Sequence, residues 1–378
     1  MDEYYMHQAL TIAQYASGRT SPNPLVGAVI VKDGRIVGQG WHRQAGTPHA
    51  EIHALAQAGD LAKDATVYVT LEPCSHYGRT GPCADALIQA GVKKVVAAMT
   101  DPNPEVAGNG LARLRAAGIE VVEGILASEA AKINEVFIKW IVTGMPFGVL
   151  KTAMSLDGKI ATYTGHSKWI TCSTSRAHVH KLRDTYGGIL VGIGTILADN
   201  PELTTRLPDS GQNPVRIIVD SMARTPLSAK VVTDNQAPTI IAVSNAASAD
   251  RIASLRSKGV EVLILEQTPE GVNLKQLFKL LGERRITSVF VEGGASINAS
   301  VLKANLIDKV HCFIAPKILG GKSAPNPVGG TGIPVVDQAI LLEETTAEPI
   351  GTDILITGYI TGREGRNVHR TCGRTRES

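Results

Sequence analysis

The segments 48-PHAEIHAL-55 and 69-VTLEPCSHYGRTGPC-83 supply a histidine, a glutamate and two cysteines around a strand, a loop and the start of a helix. Thr66–Leu71 is rich in β-formers and reads as a strand leading to Cys74, and a helix is expected from about Pro82 to Ala90. Pro48 suits the first turn of a helix over His49–Gln57, which Gly59 stops. His49, Cys74 and Cys83 are ligands suited to Zn²⁺, and three protein ligands leave a fourth position for water. Water at such a metal ionises near neutral pH and becomes a nucleophile. Glu51 lies two residues from His49, off its helical stripe but able to lean over the open position and shuttle protons. A glutamate that is not a ligand, beside a His/Cys/Cys zinc, is the arrangement of zinc nucleobase deaminases. Eight residues separate Cys74 from Cys83, where the common signature has two. The competing reading is a closed structural zinc site with His53 or His76 as fourth ligand, and it leaves Glu51 without a role.

Outward from this core, residues 2–17 read as an amphipathic helix capped by Asp2 and ended by Gly18. Leu25–Val31 and Arg35–Trp41 flank Asp33-Gly34, a strong hairpin turn. Strands at Lys94–Met99 and Glu120–Glu123 enclose a helix at Leu111–Ala117. Strands alternating with helices imply a parallel or mixed sheet covered by helices, and the block ends near 143-TGMP-146. A second α/β block starts at Phe147. Its strands are expected at Gly148–Ala153, Ile189–Val191, Val215–Asp220, Thr239–Val243, Val260–Leu265, Ser288–Glu292, Lys309–Ala315 and Asp353–Tyr359. Its helices are expected at Ser173–Arg183, Ala249–Ser257, Leu274–Leu281 and Ala295–Ala304. The domains are therefore 1–144 and 145–360, followed by a disordered basic tail at 361–378.

Composition excludes several classes. The 378 residues suit two domains, and 43% hydrophobic against 19% charged residues give each an ordinary core. There is no long apolar run for a membrane span and no basic, apolar leader after Met1-Asp2-Glu3, so a cytoplasmic location is expected. The net charge of +3 lies wholly in 361–378, and residues 1–360 carry 33 charges of each sign. A neutral body argues against a nucleic-acid partner and against a tRNA deaminase with an accessory domain. The odd cysteine count, five, argues for metal binding or burial over a disulfide framework.

The second block carries 291-VEGGASIN-298, glycines at a strand-to-helix turn that expose backbone N–H groups to a phosphate or pyrophosphate. Gly192-Ile-Gly194 has Leu197 where a dinucleotide fingerprint needs its third glycine, and Gly321-Lys322-Ser323 has Pro316 where a P-loop needs its first. No G-x-S-x-G elbow occurs. The motifs alone give a second α/β domain that binds a phosphorylated ligand.

Taken together, 21-SPNPLVGAVIV-31, the two segments quoted first, 101-DPNPEVAG-108, 153-AMSLDGKIAT-162, 168-KWIT-171, 192-GIGTILADNPELTTR-206 and 290-FVEGGAS-296 resemble the bifunctional riboflavin-biosynthesis deaminase/reductase family. The likeness covers nearly the whole folded chain, and the wide cysteine spacing is what that family shows. It implies a cytidine-deaminase-like α/β/α sandwich followed by a dihydrofolate-reductase-like α/β domain. It implies Zn²⁺ and NADPH as cofactors, a pyrimidine ribosyl phosphate as substrate, and a homo-oligomer, a tetramer. By the same resemblance, His49, Cys74 and Cys83 are the zinc ligands, Glu51 the proton shuttle, and Asn23, His42 and His76 deaminase-pocket residues. Ala153, Trp169, Thr195, Asp199 and the loop from Gly294 match cofactor contacts. Lys151, Ser167, Arg183, Leu203, Arg206 and Glu292 match reductase substrate contacts. Arg183 and Arg206 have the planar guanidinium that grips a phosphate, Arg79 is a further candidate for that role, and Glu292 can accept from ribityl hydroxyls. The tail from Gly362 departs from the family.

Overall fold

A computed structural model describes residues 1–77, 81–103, 106–208 and 211–362. The expectations for Arg79 and for 363–378 lie outside them. One compact unit takes Met1–Gly144 and a second begins at Met145. Among the described residues, no helix is long and apolar enough to cross a membrane.

The first unit runs α1 (Asp2–Ala13), β1 (Gly27–Lys32), β2 (Arg35–Trp41), α2 (Ala50–Ala58), β3 (Thr66–Val69), α3 (Cys83–Gln89), β4 (Lys94–Ala97), α4 (Asn109–Ala116), β5 (Glu120–Glu123), α5 (Ala127–Ile133) and α6 (Glu135–Thr143). Its sheet order is β2-β1-β3-β4-β5, antiparallel at β2/β1/β3 and parallel from β3 to β5. Strand alternation sends Ala28 and Ile30 into a core with Ala54, Leu87 and Leu111 of α2–α4. Val29 and Val31 enter a second core on the other face with Met6 and Leu10 of α1 and Ile138 of α6. Asp33 and Gly34 have φ of 48° and 74°, the left-handed pair the β1–β2 hairpin requires. Asp2 is not the cap expected of it. It lies inside the first turn of α1, and its carboxylate accepts from Tyr68 Oη at 2.7 Å. Helices α5 and α6 had no clear signal, because β-branched and aromatic residues such as those of 137-FIKWIV-142 suit strands as readily as helices.

The zinc-motif helix α2 lies directly on β2. A Cβ on Gly38 would sit 2.3 Å from the Ala54 carbonyl oxygen, and one on Gly40 2.5 Å from that of Ala50. Only hydrogen side chains at these two positions permit this approach. Gly40→Ala is expected to cost about 1–3 kcal/mol of stability through overpacking and to speed zinc loss. Denaturation and chelator competition measure both, and unchanged values would refute the packing argument.

The second unit comprises β6 (Phe147–Ser155), α7 (Ser173–Thr185), β7 (Gly188–Gly192), α8 (Ile193–Asp199), β8 (Val215–Val219), α9 (Lys230–Thr233), β9 (Thr239–Ser244), α10 (Ala249–Arg256), β10 (Glu261–Leu265), a small ribbon of β11 (Gln267–Thr268) and β12 (Gly271–Val272), α11 (Leu274–Glu283), β13 (Ser288–Val291), α12 (Ala295–Lys303), β14 (Lys309–Ala315), β15 (Leu342–Ile350) and β16 (Asp353–Ile360). Nine strands form one sheet in the order β10-β9-β8-β7-β13-β6-β14-β16-β15. The pairings from β10 to β14 are parallel, and β16 and β15 close the sheet antiparallel. Leu190 and Ile217 pack with Leu277, Phe278 and Val301 on one face. Ile189 and Ile218 pack with Ile196, Val232 and Leu255 on the other. Strand β15 was not legible: it is an exposed edge, so 342-LEETTAEPI-350 carries no buried alternation.

Candidate active sites

His49 is the N-cap of α2, Cys74 follows β3, and Cys83 opens α3. His49 Nδ1 lies 3.5 Å from Cys74 Sγ and 3.3 Å from Cys83 Sγ. A tetrahedral zinc with ordinary bond lengths separates a nitrogen and a sulfur ligand by about 3.6 Å. The donor set therefore fits the ion in both chemistry and spacing. Among the described residues no other group of three or more His, Cys, Asp or Glu gathers in this way, and neither His53 nor His76 joins this one. The backbone N–H of Cys83 donates to Cys74 Sγ at 3.3 Å. The Cys83 thiol and His49 then hold the Cys74 thiol below its ordinary pKa, against the opposing effect of burial.

Glu51 is buried, and its Oε2 has no hydrogen-bond partner. Burial pushes its carboxyl up to about 7. A carboxylate with one unpartnered oxygen beside three metal ligands, with a pKa near neutrality, is suited to carry protons in both directions. Asn23 Nδ2 donates to His42 Nε2 at 3.1 Å, so the ring proton sits on Nδ1 and goes to the Pro48 carbonyl at 3.3 Å. Burial lowers the His42 pKa and keeps the ring neutral. Its ring meets His49 edge-to-face, centroids 5.3 Å apart. Asn23 and His42 are thus brought to the metal ligands, whereas His76 is exposed.

Glu72 was not singled out. Its buried carboxylate accepts from the N–H groups of Asp101 (3.0 Å), Gly108 (2.8 Å), Gly110 (2.7 Å) and Leu111 (3.3 Å). It thereby caps α4 two residues before Cys74. Arg113 of α4 donates to the Ser75 carbonyl and to Asp85 of α3, bracing both cysteine-bearing segments.

In the second unit, Ala153, Gly192 and Glu292 stand at the carboxyl ends of adjacent parallel strands β6, β7 and β13. This is where ligands bind in open α/β sheets. Thr195 and Asp199 lie on α8, and Gly294 is the N-cap of α12, where an added Cβ would meet nothing within 4 Å. That open backbone at a helix start fits a cofactor phosphate. Trp169 is exposed, with the Arg176 guanidinium 4.5 Å from its ring centroid. Ser167 is half-buried.

Arg183 departs from the expected phosphate grip. Its Nε and Nη2 donate to Glu292 at 2.6 and 3.1 Å, and its Nη1 to the Thr204 carbonyl at 3.0 Å. A buried guanidinium needs a buried counter-charge, and Glu292 takes it. Lys151 Nζ also reaches Glu292, at 3.5 Å. Burial raises the Glu292 pKa, but Arg183 and then Lys151 outweigh it and hold the carboxyl down at about 2. Arg206 remains the exposed guanidinium. Leu203 is buried with a φ of 54°. His180, also not singled out, accepts from the Arg206 N–H at 3.3 Å. Its pKa is lowered to about 4, by burial first and then by Arg183 and Arg206. Its place three residues before Arg183 on α7 was the available signal.

Comparison with known proteins bears on both units. Residues 146–356 match the model of the RibD C-terminal domain, and residues 1–99 that of the cytidine and deoxycytidylate deaminase zinc-binding region. The riboflavin biosynthesis protein RibD of Bacillus amyloliquefaciens is 46% identical over 98% of this chain and 100% of its own length. The chain belongs to the RibD family. Among solved structures, Acinetobacter baumannii RibD matches with a TM-score of 0.86 at 40% identity, covering 95% of this chain and 99% of that one. A Thermotoga maritima structure described as a diaminohydroxyphosphoribosylaminopyrimidine deaminase/5-amino-6-(5-phosphoribosylamino)uracil reductase matches with a TM-score of 0.84 at 38% identity, with coverage of 95% and 99%. Like other RibD proteins, the chain is a deaminase/reductase of riboflavin biosynthesis, with a cytidine-deaminase-like first unit and a dihydrofolate-reductase-like second. It has a zinc-binding deaminase site at His49, Cys74 and Cys83.

Glu51→Gln preserves shape and removes the titrating oxygen. Zinc content should stay at the wild-type level while ammonia release falls by about 10²–10⁴. Metal analysis alongside an ammonia assay checks this, and undiminished release would exclude Glu51 as the proton carrier.

Proposed function

We propose that the first unit hydrolyses the 2-amino group of 2,5-diamino-6-ribosylamino-4(3H)-pyrimidinone 5′-phosphate. The second unit then reduces the ribosyl chain to ribityl with NADPH, giving 5-amino-6-ribitylamino-uracil 5′-phosphate. The observation that carries this reading is the pairing of an orphaned, buried Glu51 with a three-ligand metal site, in a chain that also holds a reductase centre. The deaminase and reductase activities for which the Thermotoga maritima relative is named support the substrate.

His49, Cys74 and Cys83 would hold the zinc, which when bound would supply a Lewis acid able to make water nucleophilic near neutral pH. Glu51 would hold a proton at its unpartnered Oε2 and pass it on to the departing amine. Asn23 and His42, fixed in one tautomer, orient the pyrimidine, and His76 lies at the mouth. In the reductase, NADPH supplies the hydride. Ala153, Trp169, Thr195, Asp199 and the Gly294 turn hold it, and Ser167, Leu203 and Arg206 bind the sugar phosphate. Arg183 acts on the substrate through the Glu292 carboxylate and the Thr204 carbonyl it holds. Glu292 keeps lone pairs free for sugar hydroxyls, and Lys151 polarises the reducible carbon.

The exposed apolar residues Val335, Val336, Ile340, Leu341 and Leu342, which lead along the chain into the edge strand β15, support a homo-oligomer, which we take to be a tetramer. The thiol pair of the zinc site suits the reducing cytoplasm.

Incubating the purified protein with the diaminopyrimidine ribosyl phosphate, with and without NADPH, tests the sequence of reactions. Mass spectrometry should show an amino group exchanged for oxygen without NADPH, then gain of two hydrogens with it. An unchanged substrate in the zinc-loaded protein would sink the assignment. Lys151→Met should lower reduction and leave deamination intact, and equal loss of both would remove Lys151 from the reductase mechanism.

A further inference from the structure

The segment between α8 and β8 contains a leucine in a conformation that leucine disfavours. Leu203 has a φ of 54°, and its side chain is buried, so the backbone there is held rather than free. The carbonyls on either side of it are gripped by different guanidiniums. Arg183 Nη1 donates to the Thr204 carbonyl at 3.0 Å, and Arg216 Nη1 donates to the Glu202 carbonyl at 3.2 Å.

Arg216 lies on β8 and is 1% exposed. Its Nη1 also reaches both oxygens of Asp234 at 2.8 and 2.9 Å. Its Nε donates to Thr239 Oγ1 at 2.9 Å and its Nη2 to the Ala237 carbonyl at 2.6 Å. Every nitrogen of the head group is anchored, so the donor facing Glu202 has a fixed position. Two more bonds complete the clamp: Asn213 Oδ1 accepts from Thr205 N–H at 2.8 Å, and His180 Nδ1 from Arg206 N–H at 3.3 Å. The Arg206 side chain emerges from this clamped segment, half-exposed, resting on Glu202 and Thr204 Oγ1 at 3.2 Å each.

We propose that Arg216 is a positioning residue of the reductase: by holding the Glu202 carbonyl it keeps Leu203 left-handed and presents Arg206 to the anionic end of the substrate. Arg216 acts only through the backbone of residues 202–206 and touches no substrate. This rests on the reading of Arg206 as a phosphate contact. The physical basis is pre-organisation. A loop already fixed in its binding conformation loses no conformational entropy when the ligand arrives.

The test uses the full-length enzyme and steady-state reduction of the deaminated ribosyl phosphate by NADPH. Arg216→Lys keeps a cation beside Asp234 but has one nitrogen where three now reach Asp234, Glu202, Thr239 and Ala237. The expected result is a KM for the ribosyl phosphate about tenfold higher, equivalent to about 1.4 kcal/mol. The kcat should stay within about twofold and deamination should be unchanged. In the Arg206→Ala background, Arg216→Lys should add nothing, because its effect passes through Arg206. An unchanged KM in Arg216→Lys, with Arg206→Ala raising it, overturns the inference and leaves the phosphate reading standing. Additive losses in the double variant also overturn it. An unchanged KM in Arg206→Ala alone refutes the phosphate reading and the inference with it. If Arg216→Lys does not fold, Asp234→Asn takes its place in the same cycle. It weakens the tether without removing Arg216, so it should give a smaller KM rise that vanishes in the Arg206→Ala background, and additivity there overturns the proposal equally.

Discussion

Three ligand atoms on three chain segments must meet within a few tenths of an ångström for the first unit to work. No local interaction can achieve this, since His49, Cys74 and Cys83 start a helix, follow a strand and start another helix. The sheet provides the frame, and backbone-on-backbone contact provides the tolerance. Gly38 and Gly40 let α2 settle on β2. Gly110 plays the same part for α4, where a Cβ would stand 1.9 Å from the Pro73 carbonyl oxygen. Side chains flex by an ångström or more at small cost, whereas a backbone contact does not. The site is precise because the elements carrying it touch through glycine.

The two units treat a buried carboxylate in opposite ways. Glu51 has an oxygen with no partner, and burial, the largest influence on it, moves its pKa to about 7. Glu292 is largely shut off from water, yet Arg183 and Lys151 hold it at about 2. Burial raises both pKa values; for Glu51 nothing outweighs it, whereas for Glu292 two cations do. The proposed proton carrier keeps a pKa near neutrality, whereas the carboxylate that holds Arg183 is kept charged by two neighbouring cations. Desolvating the pair Arg183–Glu292 is costly, so the pair is weak evidence of stabilisation in itself. It earns its place by connecting the reactive end of β13 to the loop carrying Leu203 and Arg206.

Much of this was legible in the sequence. The H-A-E and P-C segments gave the metal ligands, because ligand chemistry is carried by residue type and spacing, and the buried Glu51 lies two residues from the first of them. The β1–β2 hairpin was legible from Asp33-Gly34, and most strands of the second unit from their apolar runs. What escaped were features whose cause lies far away in the chain. Strand β15 is defined by pairing with β16 and not by any buried face of its own. Arg183 looks like a free phosphate ligand until Glu292, 109 residues on, is seen to occupy it.

Glu72 and Arg216 show why such residues stay hidden. Both serve their sites through backbone atoms, which have no residue type to recognise. The sign of each gripping group follows from what the backbone offers. At the start of α4 the chain presents N–H groups with no helical partner, and a carboxylate collects four donors from that region. Around Leu203 the chain presents carbonyls, and guanidiniums collect those. An Arg within an otherwise apolar strand such as 215-VRIIV-219, or a Glu wedged between a strand and a Pro-Cys ligand, is a charge placed where desolvation penalises it. Such a charge persists only when several backbone groups on other segments neutralise or hydrogen-bond it. The misplaced charge is therefore the sequence's one visible trace of a long-range backbone clamp, even though its partners appear only once the chain is folded.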